Sequence, residues 1–307
     1  MLLKVFKSNK VIVLASLPFL GFALLFPSLS IENSADIPSV FLTLLTFLLI
    51  LTTALVLNKT VNNSELFNRP YYLTALFYVL LACSAGSLIS LNLLIISNLF
   101  LSLAISKLFK IKRLASCKGL VFDSSFLILI SSIFYPPYLI FILLPWVSLS
   151  IIKTFDFREW IMPLVAFFIG AVYFNVVLVL ASSNLMSIYS HSLFGFEKIA
   201  LNNFFVFCFW LIAFGLIFAL YFLFKLNSSA TNRFKKLSMV LFITLLLASI
   251  ILTYNFYNEL YLFGLYSVFI PVSIVLPFVV IHSAKKTLIE VLLTCTYLLL
   301  LIAVYTG

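Results

Sequence analysis

Few side chains in this chain can do chemistry, and their spacing limits what that chemistry is. Its 307 residues include nine Asp and Glu, two His and four Cys. The densest polar run is Asp156-Phe157-Arg158-Glu159-Trp160. An Asp followed three residues later by a Glu, just before an apolar stretch, is the pattern of a helix start. Arg158 stands beside both carboxylates and can pair with either, so Arg158 and Glu159 are also candidate binding residues. Asp123, followed by Ser124 and Ser125 at the edge of another apolar stretch, reads first as a helix cap and second as a binding carboxylate. His191 lies in the segment read as the longest outer loop, 182–203, with Tyr189, Glu197 and Lys198. It is a candidate contact residue on a segment read first as a solvated connector.

Metal and redox chemistry find little support. His191 and His282 are the two histidines. That count excludes an iron or zinc centre built from several imidazoles, including the four-histidine iron of carotenoid-cleaving oxygenases. Cys83, Cys117, Cys208 and Cys295 form no CxxC pair. We expect no disulfide, no metal site and no cofactor.

The elements that must position these residues follow from composition. The chain is 64% hydrophobic and 9% charged, against about 25% charged in a soluble domain. Water cannot accept such a surface, so lipid must. The net charge of +10 would suit nucleic acid if it were clustered on one domain. Instead the basic residues sit in short loops between apolar stretches, the pattern of loops retained on the cytoplasmic side. We therefore expect no nucleic-acid partner. These loops can hold anionic headgroups, at about 1 kcal/mol per residue near the surface. In this setting an ionised carboxylate within a span is costly, and it caps, pairs or functions.

Residues 120–152 decide the topology. As one helix they would reach about 50 Å, far beyond a ~30 Å hydrocarbon core. Pro136 and Pro137 remove two backbone donors and disfavour helical geometry just before them. A turn at Tyr135-Pro136-Pro137 makes two short spans. With that hairpin, every one of the 19 Lys and Arg except Lys198 falls on the cytoplasmic side. With a single kinked span, every Lys and Arg from Lys153 onward, Lys198 excepted, would fall outside. The hairpin is the reading adopted.

The remaining spans are expected at 11–26, 39–57, 71–85, 89–109, 160–181, 204–224, 237–254 and 260–281, with a last one opening at the capping box Thr287 to Glu290. The first is basic at its start and lacks a small-x-small cleavage site, so it is read as an uncleaved helix with its N-terminus inside. Pro27 is expected to end it. Asn92 and Asn98 fall within the fourth span, where their amides need partners on neighbouring helices, and Asn175 falls within the span 160–181. Pro271 and Pro277 permit kinks in the tenth span. The expected fold is an all-α polytopic transmembrane helical bundle of about eleven spans with a cytoplasmic N-terminus. It forms one integral membrane domain, 1–307, without a strict internal repeat.

Across Asn98-Leu99-Phe100-Leu101, Phe122-Asp123, Phe134-Tyr135-Pro136-Pro137 and Arg158-Glu159-Trp160, the chain resembles an uncharacterised family of polytopic inner-membrane proteins of Bacteroidota-type bacteria. The likeness covers most of residues 60–180. More remotely, the order of short hairpins is similar to that of C-type membrane glycosyltransferases, which use polyprenyl-linked sugars. Those enzymes carry a catalytic carboxylate in a long first outer loop. Glu32 and Asp36 occupy the matching place here, so the resemblance implies one of them as general base on an acceptor. The loop between Pro27 and Pro38 is shorter than the loop of such enzymes, which holds amphipathic helices.

No span carries paired carboxylates and no metal cluster is legible. The leading expectation is therefore a non-catalytic module of the cell envelope in the inner membrane, packing with a membrane protein partner or binding membrane lipids. A transferase acting on a polyprenyl-linked substrate through Glu32 or Asp36 is the alternative. A secondary transporter, suggested by broken helices near Pro136-Pro137 and Pro271/Pro277, is a third.

Overall fold

The computed structural model describes residues 11–31, 37–64, 66–67, 69–84, 92–113, 115–180, 213, 215–226, 231–257, 261–282 and 286–306. Among these residues the regular structure is helical, with no strand. In chain order the helices are α1 (Val11–Ile31), α2 (Ile37–Asn63), α3 (Leu73–Ser84), α4 (Asn92–Leu108), α5 (Lys118–Phe134), a 3-10 segment (Pro136–Ile142), α6 (Leu143–Ile152), the single-turn α7 (Phe157–Trp160) and α8 (Met162–Leu180). Then follow α9 (Gly215–Leu226), α10 (Asn232–Tyr257), α11 (Tyr261–Val275), α12 (Pro277–His282) and α13 (Lys286–Thr306).

Among the described residues, four stretches are long and apolar enough to cross a membrane: Thr43–Asn63 in α2, Phe157–Val176 over α7 and α8, all of α10, and Phe263–His282 over α11 and α12. Their environments differ. α8 leaves Phe168, Val172, Tyr173 and Val179 more than 60% exposed, an apolar surface on which only lipid or another apolar chain is at home. α3 is the opposite case, with every residue but Phe77 buried. It packs against α1, α2 and α11. At twelve residues it rises only about 18 Å. Buried apolar residues from Leu17 to Leu300 form one cluster around it.

The segment 120–152 folds as a hairpin. Tyr135 stops α5 in an extended conformation, φ −145° and ψ 96°, the geometry a following proline imposes. Pro136 then opens the 3-10 segment, where its missing N–H costs nothing. The far end returns to the beginning: the Lys153 ammonium donates to the Ala115 carbonyl at 2.8 Å. One continuous kinked helix would hold those two residues tens of ångströms apart.

α10 measures the depth of this hairpin. Near its start, Lys236 donates to the Ile152 carbonyl at 2.8 Å. Near its end, Asn255 accepts from the Tyr135 hydroxyl at 2.9 Å. Between Lys236 and Asn255 the helix rises about 28 Å, close to the ~30 Å thickness of a hydrocarbon core.

Several boundaries differ from expectation. α1 continues through Pro27 to Ile31. α2 runs on to Asn63, and Asn92 opens α4 instead of lying inside it. Trp160 ends the separate turn α7 instead of starting the long helix. Pro271 is accommodated inside α11, whereas Pro277 begins a new helix after the turn at Leu276. Many hydroxyls bond back to their own helix, as Thr53 does to Ile50, Ser124 to Val121 and Thr244 to Leu241. That satisfies them without water.

Candidate functional site

Among the described residues, Lys107, Asp123, Lys153, Glu159 and Lys236 gather at the end of the bundle where the hairpin closes. Lys153 donates to both oxygens of Glu159, at 2.6 and 2.7 Å. The same carboxylate accepts the Cys117 backbone N–H at 2.9 Å. The two side chains are 10% and 2% exposed, so this is a buried ion pair whose carboxylate has a second donor. Removing either member would strand a buried charge. The arrangement splits the expected capping box. Asp156 is indeed the cap of α7, accepting from the Arg158 backbone N–H at 3.1 Å. Glu159 does not reach back to it, because the closing hairpin offers Lys153 instead. The Arg158 side chain is exposed at the surface, and the Glu159 partner is Lys153 rather than Arg158.

Asp123 is not a helix cap. Cys117 holds the cap position of α5, which places Asp123 in the second turn. There it accepts from Lys107 of α4 at 2.8 Å. Both side chains are over one-third exposed, so the pair is a solvent-screened clasp between two helix ends. Asp123 and Glu159 thus lie at one end of the bundle, each held by a lysine. Glu32, Asp36 and His191 lie outside the described residues.

A cavity of about 210 Å³ lies between the ends of α2, α4 and α10. Lys110 and Lys112 beyond α4, Arg233 in the first turn of α10, and Thr60 and Ser64 at the end of α2 line it, together with Asn63, Ser106 and Phe109. Sequence reasoning placed these basic residues in loops on one side. It did not bring them to one cavity, because Lys110 and Lys112 come from one connection and Arg233 from another far along the chain.

A second polar group lies in the interior. The Tyr138 hydroxyl donates to Asn98 Oδ1 at 2.6 Å, and Asn98 Nδ2 donates to the Tyr266 carbonyl at 3.4 Å. The Tyr266 hydroxyl donates to the Ala82 carbonyl at 2.9 Å. Tyr78 is fully buried beside Thr53 and Asn98, yet its hydroxyl completes no hydrogen bond. Ser97 and Ser131 exchange hydroxyl-to-carbonyl bonds at 2.8 Å in both directions, clamping α4 to α5. The expectation that Asn98 bonds between helices is met, with partners on the 3-10 segment and α11. Asn175 instead bonds within its own helix, to Ala171 at 2.8 Å. The interior group is phenol, amide and hydroxyl, and no carboxylate appears among the partners of its members. It offers no general base, and what it can do is fix helix positions.

Among the described residues, fold and site together define an all-helical protein with four helices long and apolar enough to cross a membrane, and with its ion pairs at one end. In comparisons with known proteins, the chain matches no protein-family model, no curated protein and no solved structure.

Proposed function

We propose that this is a multi-pass inner-membrane protein of about eleven spans with a cytoplasmic N-terminus. In this reading it is a non-catalytic envelope module that holds anionic lipid at its inner face and packs with a membrane partner. One observation carries the proposal. Among the described residues, four of the loops assigned to the cytoplasmic side by charge alone meet in space. Lys153 reaches Ala115, Lys236 reaches Ile152, and Arg233 shares a cavity with Thr60, Lys110 and Lys112. Residues of four connections lie at one end, and the Tyr135 turn lies at the other against Asn255. Charge placement and packing are independent arguments, and they agree. The resemblance to an inner-membrane family of Bacteroidota-type bacteria belongs to the same proposal.

The transporter reading has the breaks at Tyr135-Pro136 and Leu276-Pro277 in its favour. The groups around the first break are neutral and largely bonded to one another, which leaves a coupling ion no charge to meet. It stands second.

The test is purification from its membrane in mild detergent, with quantitation of co-purifying lipid and protein. A stoichiometric membrane protein, or anionic lipid enriched over the bulk extract, is expected. A bare monomer carrying lipid of bulk composition would remove the proposal.

A further inference from the structure

We propose that the cavity between the ends of α2, α4 and α10 binds the phosphate of a small phosphate ester, carried either by a lipid headgroup or by a soluble molecule. The inference deepens the reading of this end as the anionic-lipid face and rests on it for the lipid source.

The donors suit that chemistry. Lys110, Lys112 and Arg233 supply three cations and Ser106 a hydroxyl, while the Thr60 and Ser64 hydroxyls donate to Val56 and Val61 of their own helix and line the wall. A phosphate is met by such sets, Arg giving a planar fork and Lys a point charge. None of the described lining residues is acidic. Among the described residues, the ion pairs at this end use Lys107 and Lys153 and leave Lys110, Lys112 and Arg233 without one. Gathering like charges around one space is unfavourable by itself, and an anion between them reverses the sign.

Local structure explains how the cations are held. After α4 the chain tightens, with the Lys110 N–H to the Lys107 carbonyl at 3.2 Å and the Ile111 N–H to the Leu108 carbonyl at 3.1 Å. Ile111 is 3% exposed and anchors this turn, while its neighbours Lys110 and Lys112 both face the cavity. From the other side α10 begins, its first turn capped by Thr231, whose hydroxyl accepts the Phe234 N–H at 3.4 Å. A helix N-terminus favours an anion, and the ends of α2 and α4 oppose it. Those opposing carbonyls are partly occupied, as by the Ser64 N–H on Thr60 at 3.0 Å. Three full charges outweigh the residual half charges of the two C-termini.

Size sets the ligand class. At about 210 Å³ the cavity falls below the ~300–1,000 Å³ of sites for drug-sized molecules. It takes a phosphate and the first carbons of its ester, leaving an acyl chain or any larger group outside.

The experiment uses the full chain, delipidated in neutral detergent and examined by native mass spectrometry. Titrants are short-chain phosphatidylglycerol, short-chain phosphatidylcholine and inorganic phosphate. The triple variant Lys110→Gln/Lys112→Gln/Arg233→Gln is compared with Arg113→Gln/Lys118→Gln, which removes charge from the same end outside the cavity. The expected result is a single tight phosphatidylglycerol site, weakened at least about tenfold by the cavity variant and unmoved by the control. Competition by millimolar inorganic phosphate would support the site and identify a soluble source; its absence would support it and identify the headgroup. Equal weakening in both variants, or none in the cavity variant, overturns the site while leaving the anionic-lipid face standing. If wild-type protein does not prefer phosphatidylglycerol to phosphatidylcholine, and phosphate does not bind, both fall.

Discussion

Lys153 and Glu159 form an ion pair at 2.6 Å that closes the central hairpin, and the carboxylate holds the Cys117 N–H as well. The pair is local in sequence but tertiary in effect, because it ties the loop after α6 to the residue before α5. Removing one member leaves a buried charge uncompensated, at a cost of about 3–5 kcal/mol. Lys153→Met and Glu159→Ala should each lower the unfolding midpoint in detergent sharply. The double variant should recover part of the loss. Two singles that unfold like wild type would show that the pair is not buried as described.

The hairpin places its turn and its two ends on opposite sides of the bundle. A reporter fused after Pro137 is expected to read as periplasmic, and reporters fused after Lys118 or Lys153 as cytoplasmic. A cytoplasmic signal from the Pro137 fusion would contradict the proposed topology for every span beyond it.

The contact between Asn98 and Tyr138 makes a smaller prediction. Interhelical hydrogen bonds in membrane proteins average only about 0.6 kcal/mol, whereas a stranded buried polar group costs about 1–3 kcal/mol. Both residues are fully buried, so the larger figure governs the single variants. Asn98→Leu and Tyr138→Phe should each destabilise by about 1–2 kcal/mol. Together they should cost less than their sum, measured as a double-mutant cycle on unfolding in mixed micelles. Strict additivity would mean the 2.6 Å contact carries no coupling.

Two glycines should respond oppositely to alanine. A Cβ at Gly264 would sit 3.1 Å from the Leu252 Cα and 3.1 Å from the Asn255 Cβ, where α11 crosses α10 and backbone cannot move aside cheaply. Gly264→Ala should cost about 1–3 kcal/mol. A Cβ at Gly119 meets nothing within 4 Å, so Gly119→Ala should stabilise α5 by up to about 1 kcal/mol. Thermal unfolding of both in the same detergent gives the comparison, and a harmless Gly264→Ala would refute the close crossing.

The amino-acid order by itself determined the helical class, the dependence on an apolar surrounding and the turn at Tyr135-Pro136-Pro137. Those follow from properties each residue carries locally: a missing proline donor, the cost of charge in lipid, the composition of a span. The cap at Asp156 was legible for the same reason. The tertiary structure alone decided that Glu159 belongs to Lys153 and not to a capping box, that Asp123 meets Lys107 in the second turn of its helix, and that α3 lies at the centre. It also decided that Asn98 sits between Tyr138 and Tyr266, and that Lys110, Lys112 and Arg233 share one cavity. Spans that are apolar on every side carry no stripe to say which face turns inward. Which faces meet is settled by shape and by a few polar contacts between distant residues, as when the Tyr266 hydroxyl finds the Ala82 carbonyl.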